Sequence, residues 1–285
     1  MDRKQFASLL KESFSEWQVN SVSLRSAALA FFIILPLPSL LLILMVVSSQ
    51  FLGQTQAFQQ LIAQISAVAG PAVANLITQV LQSSKTPSTS FLATVTFVGF
   101  SVAGVIGAFQ VLRNTMDIVW KISPPPKRRT LMTRIRRNIR PFLLVFSVVI
   151  IIIAWTVIMT AILSSVGSVI VPMTGGLNSL FLRILQIVLS FILATGLFAI
   201  IYREVPDTDI QWGDVKIAAV MVAVVFSITN VLFSWYIQTF SITSVAGAAG
   251  AIMILLSWVF IMNQLMLFGA EFSKTYAIRF GSQKK

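Results

Sequence analysis

The chain has 285 residues, of which 56% are hydrophobic and only 11% charged, where a soluble domain carries about 25% charged residues. That shortfall makes lipid the expected solvent for much of the surface, and it requires the +12 net charge to be read by position along the chain. Cysteine and histidine are both absent, which excludes disulfides, thiolate or imidazole metal ligands, and catalysis by either group.

Residues 1–25 form a basic N-terminal segment with Arg3, Lys4, Lys11 and Arg25. The apolar run that follows, Ser26–Ser48, is too long for a signal-peptide core and is expected to be a retained span. Pro36 and Pro38 within it are candidate helix breaks. Residues 53–90 are expected to be an external amphipathic loop. Its stretch 55–84 carries no charge, and Phe58, Leu61, Ile62, Ile65 and Val68 recur at helical spacing. Gly70-Pro71 interrupts the pattern, which resumes at Val73, Leu76, Ile77 and Val80. Two short amphipathic helices fit, either as a structural cap or as a gate to a substrate vestibule.

The second span is Phe91–Leu112, with Gln110 late in it and Gly99, Gly104 and Gly107 offering small packing faces. Residues 113–140 form a basic loop holding Arg113, Asn114, Lys127, Arg128, Arg129, Arg134, Arg136, Arg137 and Arg140. The triple proline Pro124 to Pro126 is a stiff lead-in. Beyond it Leu131, Met132, Ile135 and Ile139 fall near one helical face, with most of the arginines elsewhere. A basic amphipathic helix beside a span suits an anionic lipid surface at roughly 1 kcal/mol per cation. Nucleic acid is the weaker reading of this stretch.

Four further spans follow: Pro141–Leu163, Leu180–Tyr202, Val215–Ile237 and Ala248–Ala270. Arg203 is, with Asn114 and the cations named in 113–140, a candidate for binding a substrate or lipid headgroup. It opens a short loop with Glu204, Asp207, Asp209 and Asp214, expected to be a solvated turn with Asp caps. Gln110, Asn230, the adjacent Asn263 and Gln264, and Glu271 are candidate pathway groups, although interhelical hydrogen bonding explains the amides within the spans as well. Gly247 and Gly250 in "SVAGAAG" are either a helix break or a packing face, and Glu271 stands at the end of the last span.

The expected fold is therefore an all-α membrane protein, a bundle of six transmembrane helices with short amphipathic interfacial helices. Of the 21 Lys and Arg, all but Lys85 and Arg183 fall on one side of it. The positive-inside rule then places both termini in the cytoplasm.

The motifs "LFAIIYREVPDTDIQWGDV" and "FSWYIQTFSITSVAGAAGAIMILLSWVFIMNQLMLFGAEF" carry a resemblance. Their landmarks are Tyr202, Arg203, Pro206, Trp212 and Asp214, then Trp235 and Tyr236, then Gly247 and Gly250, then Gly269, Ala270 and Glu271. Upstream, "AALAFFIILPLPSLLLI" and "FQVLRNTMDIVWKI" continue it through Asn114 and Trp120. In these features the chain resembles the YihY/virulence factor BrkB family. That resemblance implies a six-helix protein of the bacterial inner membrane, in a family linked to envelope lipid handling, serum resistance and ion exchange.

Members of that family once carried a ribonuclease label. This chain lacks the clustered His and Asp that a metal-dependent nuclease needs, and no catalytic residue, cofactor or metal is expected. Carboxylate-based ion coupling is also disfavoured, because no span has an acid in its interior. The expected function is transport or handling of an amphiphilic, anionic envelope substrate. The alternatives are a membrane scaffold binding anionic lipid or a cytoplasmic partner, and an ion exchanger or channel working through broken helices. Membrane lipids are the expected partners, nucleic acid is not, and homo-oligomerisation is left open.

Overall fold

A computed structural model describes residues 3–37, 41, 53–69, 71–83, 91–122, 143, 147, 177–240 and 242–283. Among them are eight helices and no strand: α1 (Arg3–Val19), α2 (Val22–Ile34), α3 (Gln54–Ala69), α4 (Pro71–Ser83), α5 (Phe91–Val119), α6 (Leu177–Glu204), α7 (Trp212–Phe240) and α8 (Ile242–Arg279). An apolar chain in lipid has no water to satisfy its peptide groups, so the backbone closes its hydrogen bonds within each helix.

Among the described residues, three helical stretches are long and apolar enough to cross a membrane: Ile187–Glu204, Trp212–Ile237 and Ile252–Arg279. They overlap the last three runs read from hydropathy, at 180–202, 215–237 and 248–270. The expected span 141–163 lies outside the described residues except at Leu143 and Ser147, and the first is described only over part of its length.

Several boundaries differ from expectation. α5 does not stop at Leu112 but runs to Val119, so Arg113 and Asn114 are helical and not the start of a loop. The reason is burial: Leu112, Met116 and Val119 all enter the core, which keeps that face of the helix turning inward. Lys121, at φ 53°, ends the helix in the left-handed region, with the Ile122 amide donating to the Asp117 carbonyl at 2.8 Å. The N-terminal segment is likewise not a plain tail. It forms α1, which turns into α2 through Ser21, also left-handed at φ 51°.

Gly247 and Gly250 stand inside one uninterrupted helix of 38 residues, so the chain is not broken there. A glycine costs only about 1 kcal/mol against alanine in a helix interior, too little to stop a helix with this much apolar sequence around it.

α8 is the hub, packing against α7, α2, α4 and α1. The main core gathers Leu9 of α1, Val22 and Leu29 of α2, Met116 of α5, Tyr202 of α6, Val222 of α7 and Leu267 and Phe272 of α8. A second cluster joins Leu41, Val73, Ile77 and Leu255, with Phe58, Leu61, Ile62 and Ile65 packed on it. The amphipathic pair α3 and α4 thus lays its apolar stripes over the end of the bundle remote from α1. α2 and α5 approach closely where glycine permits it. A Cβ at Gly104 would meet Pro36 Cδ at 2.5 Å, and one at Gly107 would enter the Phe32 ring.

The outer face of α7 supplies a ruler. Ile217, Val220, Val224, Ile228, Val231 and Leu232 are exposed, bounded by exposed Trp212 at one end and Trp235 with Tyr236 at the other. Trp212 and Trp235 are about 35 Å apart along a helix rising 1.5 Å per residue. That matches a hydrocarbon layer of about 30 Å with indole rings at both borders.

Candidate functional site at the charged end of the bundle

The ion pairs between described residues gather at the Trp212 end. Two helices from opposite ends of the sequence build the first cluster. Glu16 of α1 accepts from Lys274 Nζ at 2.7 Å and lies 3.2 Å from Lys121 Nζ. Lys274 is buried, so pairing with Glu16 offsets the cost of removing its charge from water. One helical turn earlier on α8, Glu271 is fully buried. Its Oε1 accepts from Asn20 Nδ2 at 2.5 Å. Among the described residues its Oε2 has no hydrogen-bond partner, and Lys274 Nζ lies 3.8 Å from it. At the far end of α8, Arg279 pairs with Glu12 at 2.6 Å and donates to Ser8 at 2.9 Å.

The Lys274 ammonium bonded to Glu16 holds its carboxyl below the usual carboxylate range, against the opposing effect of partial burial and with further help from Lys121. The cluster is thus charged at neutral pH on the α1 side.

A second cluster ties the loop between α6 and α7 to α5. Buried Arg113 pairs with Asp207 at 3.1 Å, and Asp117 accepts from the Asp207 amide at 3.1 Å. Arg203 lies over the Trp212 ring at 4.4 Å, and its Nε donates to the Ile210 carbonyl at 3.3 Å. A third contact closes the C-terminal turn. Asp214 is buried in the first turn of α7, where Ser282 donates to it through both its amide, at 3.1 Å, and its hydroxyl, at 2.5 Å. The acidic turn is solvated at Asp207 and Asp209, as expected, and is also tied into the fold through Asp207 and Asp214.

The residues singled out from sequence separate into distinct places. Arg113 faces inward and is engaged by Asp207, whereas Asn114 and Gln110 are exposed. Asn230 accepts from Trp258 Nε1 at 3.1 Å, joining α7 to α8. Asn263 is buried and donates to the Ser26 carbonyl at 3.5 Å, and Gln264 is half-buried. Asn230 and Asn263 thus make interhelical hydrogen bonds. Pro36 is buried against α5. Pro38, Lys127, Arg128, Arg129, Arg134, Arg136, Arg137 and Arg140 lie outside the described residues.

Sequence reasoning passed over Glu16, Asn20 and Lys274. The amphipathic spacing of Leu9, Ser13, Glu16 and Asn20 could have marked an inward face on α1. Among the described residues no group of Asp and Glu is disposed to hold a metal ion.

Residues 13–285 match the family model described as "Virulence factor BrkB". The chain is 26% identical over 282 residues to a UPF0761 membrane protein of Alcanivorax borkumensis, covering 96% of this chain and 61% of that protein. It is also 33% identical over 84 residues to a UPF0761 membrane protein of Glaesserella parasuis, covering 29% of this chain and 30% of the relative. A third, from Vibrio cholerae, is 36% identical over 98 residues, covering 34% and 32%. In each case the chain spans less than two thirds of the relative's length. No solved structure matches it. With nearly the whole sequence matched and three membrane-length apolar helices in place, the chain belongs to the virulence factor BrkB family of membrane proteins.

Proposed function

We propose that the protein is a six-span, non-enzymatic transporter or lipid-handling protein of the cytoplasmic membrane. In this reading both termini lie at the cytoplasmic face and the substrate is an amphiphile with an anionic headgroup. The observation that carries it is the one-sided gathering of ion pairs at the Trp212 end of an otherwise apolar bundle. A substrate whose tail shares the lipid phase needs no polar channel, only a cationic rim for its headgroup. In this proposal that rim is assigned to the basic residues from Lys127 to Arg140, on sequence alone, while Arg113 pairs with Asp207 and anchors the loop.

Reconstitution into liposomes tests this. Labelled anionic lipid is expected to cross faster than labelled zwitterionic lipid, and neutralising Arg134, Arg136, Arg137 and Arg140 to Gln is expected to abolish that preference. Equal rates with and without protein sink the proposal. Orientation is checked separately. The chain has no native cysteine, so single cysteines introduced at 85 and at 130 are expected to react from opposite sides of the membrane.

A further inference from the structure

We propose that α1 is a membrane-surface helix, seated with its aromatic flank in the headgroup–acyl boundary of an anionic leaflet. Phe6, Leu10, Phe14 and Trp17 follow the spacing of one helical stripe, with Phe14 and Trp17 stacked at 5.5 Å between centroids. Phe14 is 51% exposed although the inward face of α1, through Leu9 and Ser13, is fully buried. Leu10 and Trp17 rest partly on the core and Phe6 on Phe272, while the outer edge of the stripe, at Phe6 and above all Phe14, stays exposed.

Its direction is fixed by what the two flanks of α1 touch on α8. Ser8 and Glu12, on one flank, reach Arg279 at the last turn. Phe6, on the other, meets Phe272 edge-on at 5.9 Å. Phe272 is about 10 Å nearer the middle of the helix at 1.5 Å per residue. The polar flank thus faces away from the spanning part of the bundle and the aromatic flank faces toward it. The height is also set: Asp214, two residues from the exposed Trp212, bonds Ser282 and accepts at its carbonyl from Ser273, so the α1 dock lies level with the indole border.

Lys4 and Lys11, one stripe round from the aromatics, are exposed. Cations beside an aromatic stripe at this depth meet headgroup phosphates, which is the charge pattern of helices that lie in an interface. A soluble partner would have to approach from the flank that carries Ser15 and Val19, which is not the aromatic one. The seating of α1 does not depend on substrate identity. Only its assignment to the cytoplasmic leaflet rests on the orientation proposed above.

The full chain carrying Phe14→Cys or Ser15→Cys, each labelled with an environment-sensitive fluorophore, tests this in vesicles of phosphatidylglycerol and phosphatidylethanolamine. Lipids brominated near the top of the acyl chain are expected to quench the label at 14 about threefold more than that at 15, with aqueous iodide giving the reverse order. Replacing the vesicle lipid by phosphatidylcholine, or making Lys4→Gln with Lys11→Gln, is expected to reduce that contrast. A label at 14 as open to iodide as the one at 15 overturns the proposal. So does a label at 14 shielded from both quenchers, which means protein covers the stripe. Lipid quenching at 14 combined with reaction of Ser15→Cys from the outside of intact cells keeps the surface helix and overturns only the orientation.

Discussion

The Tyr202 hydroxyl occupies space that a Cβ at residue 269 would need, and from there it donates to the Met266 carbonyl at 2.8 Å. Gly269 and Tyr202 thus lock α6 to α8 at the heart of the core. Gly269→Ala is expected to cost about 1–3 kcal/mol by overpacking, and Tyr202→Phe about 1 kcal/mol through its lost hydrogen bond. The two together are expected to cost less than their sum, since removing the hydroxyl vacates part of the space. The relief is incomplete because a Val222 methyl also crowds the site. Thermal unfolding of the unaltered protein and the three variants in detergent measures the coupling.

Glycines on one helix have opposite fates. Gly107→Ala drives a methyl into the Phe32 ring and is expected to destabilise the α2–α5 contact by about 1–3 kcal/mol. Gly99→Ala meets nothing within 4 Å, and its higher helix propensity is expected to leave stability unchanged or raise it by up to about 1 kcal/mol. Comparing the two melting temperatures checks both.

Asp207 is the half-exposed partner of a buried guanidinium. Asp207→Ala removes a carboxylate paired with buried Arg113 and is expected to cost about 2 kcal/mol, discounted from the value for a fully buried pair because water reaches the carboxylate. Proteolysis in the 205–211 loop is expected to accelerate in parallel, because the turn loses its carboxylate tie to α5 and keeps the bond from the residue 207 amide to Asp117.

Glu16 makes docking of α1 acid-sensitive. Its folded pKa is depressed, so its contribution to stability is fully present above the unfolded value of about 4.3 and is lost as pH falls through the folded one. The expected window is therefore below the ordinary glutamate range and not near neutrality. Glu16→Gln is expected to flatten the acid limb of a stability–pH profile while lowering stability at pH 7, as followed by the melting temperature across that range.

The last three spans were legible because hydropathy is local: runs at 180–202, 215–237 and 248–270 announce α6, α7 and α8 without reference to any other part of the chain. The stripes of α3 and α4 were legible for the same reason. The charged end was not. Glu16 and Lys274 stand 258 positions apart, and nothing in either neighbourhood marks the other. Arg113 looked like one more loop cation because its burial depends on a carboxylate delivered by a later turn. Glu271 was noticed as the end of a span, but its enclosure by Asn20 required knowing that the N-terminal segment folds back onto α8.

The continuity of α8 through Gly247 and Gly250 turns that helix into a stiff lever about 57 Å long. Its fulcrum is the Gly269–Tyr202 lock, with the α1 dock on the short arm and Leu255 beneath α4 on the long one. A tilt of about 5° there swings Leu255, about 21 Å away, by roughly 2 Å, the scale of helix shift that switches packed interfaces. One continuous helix thereby joins the α1 dock to the α3–α4 cap, so a rigid tilt of α8 moves both contacts together.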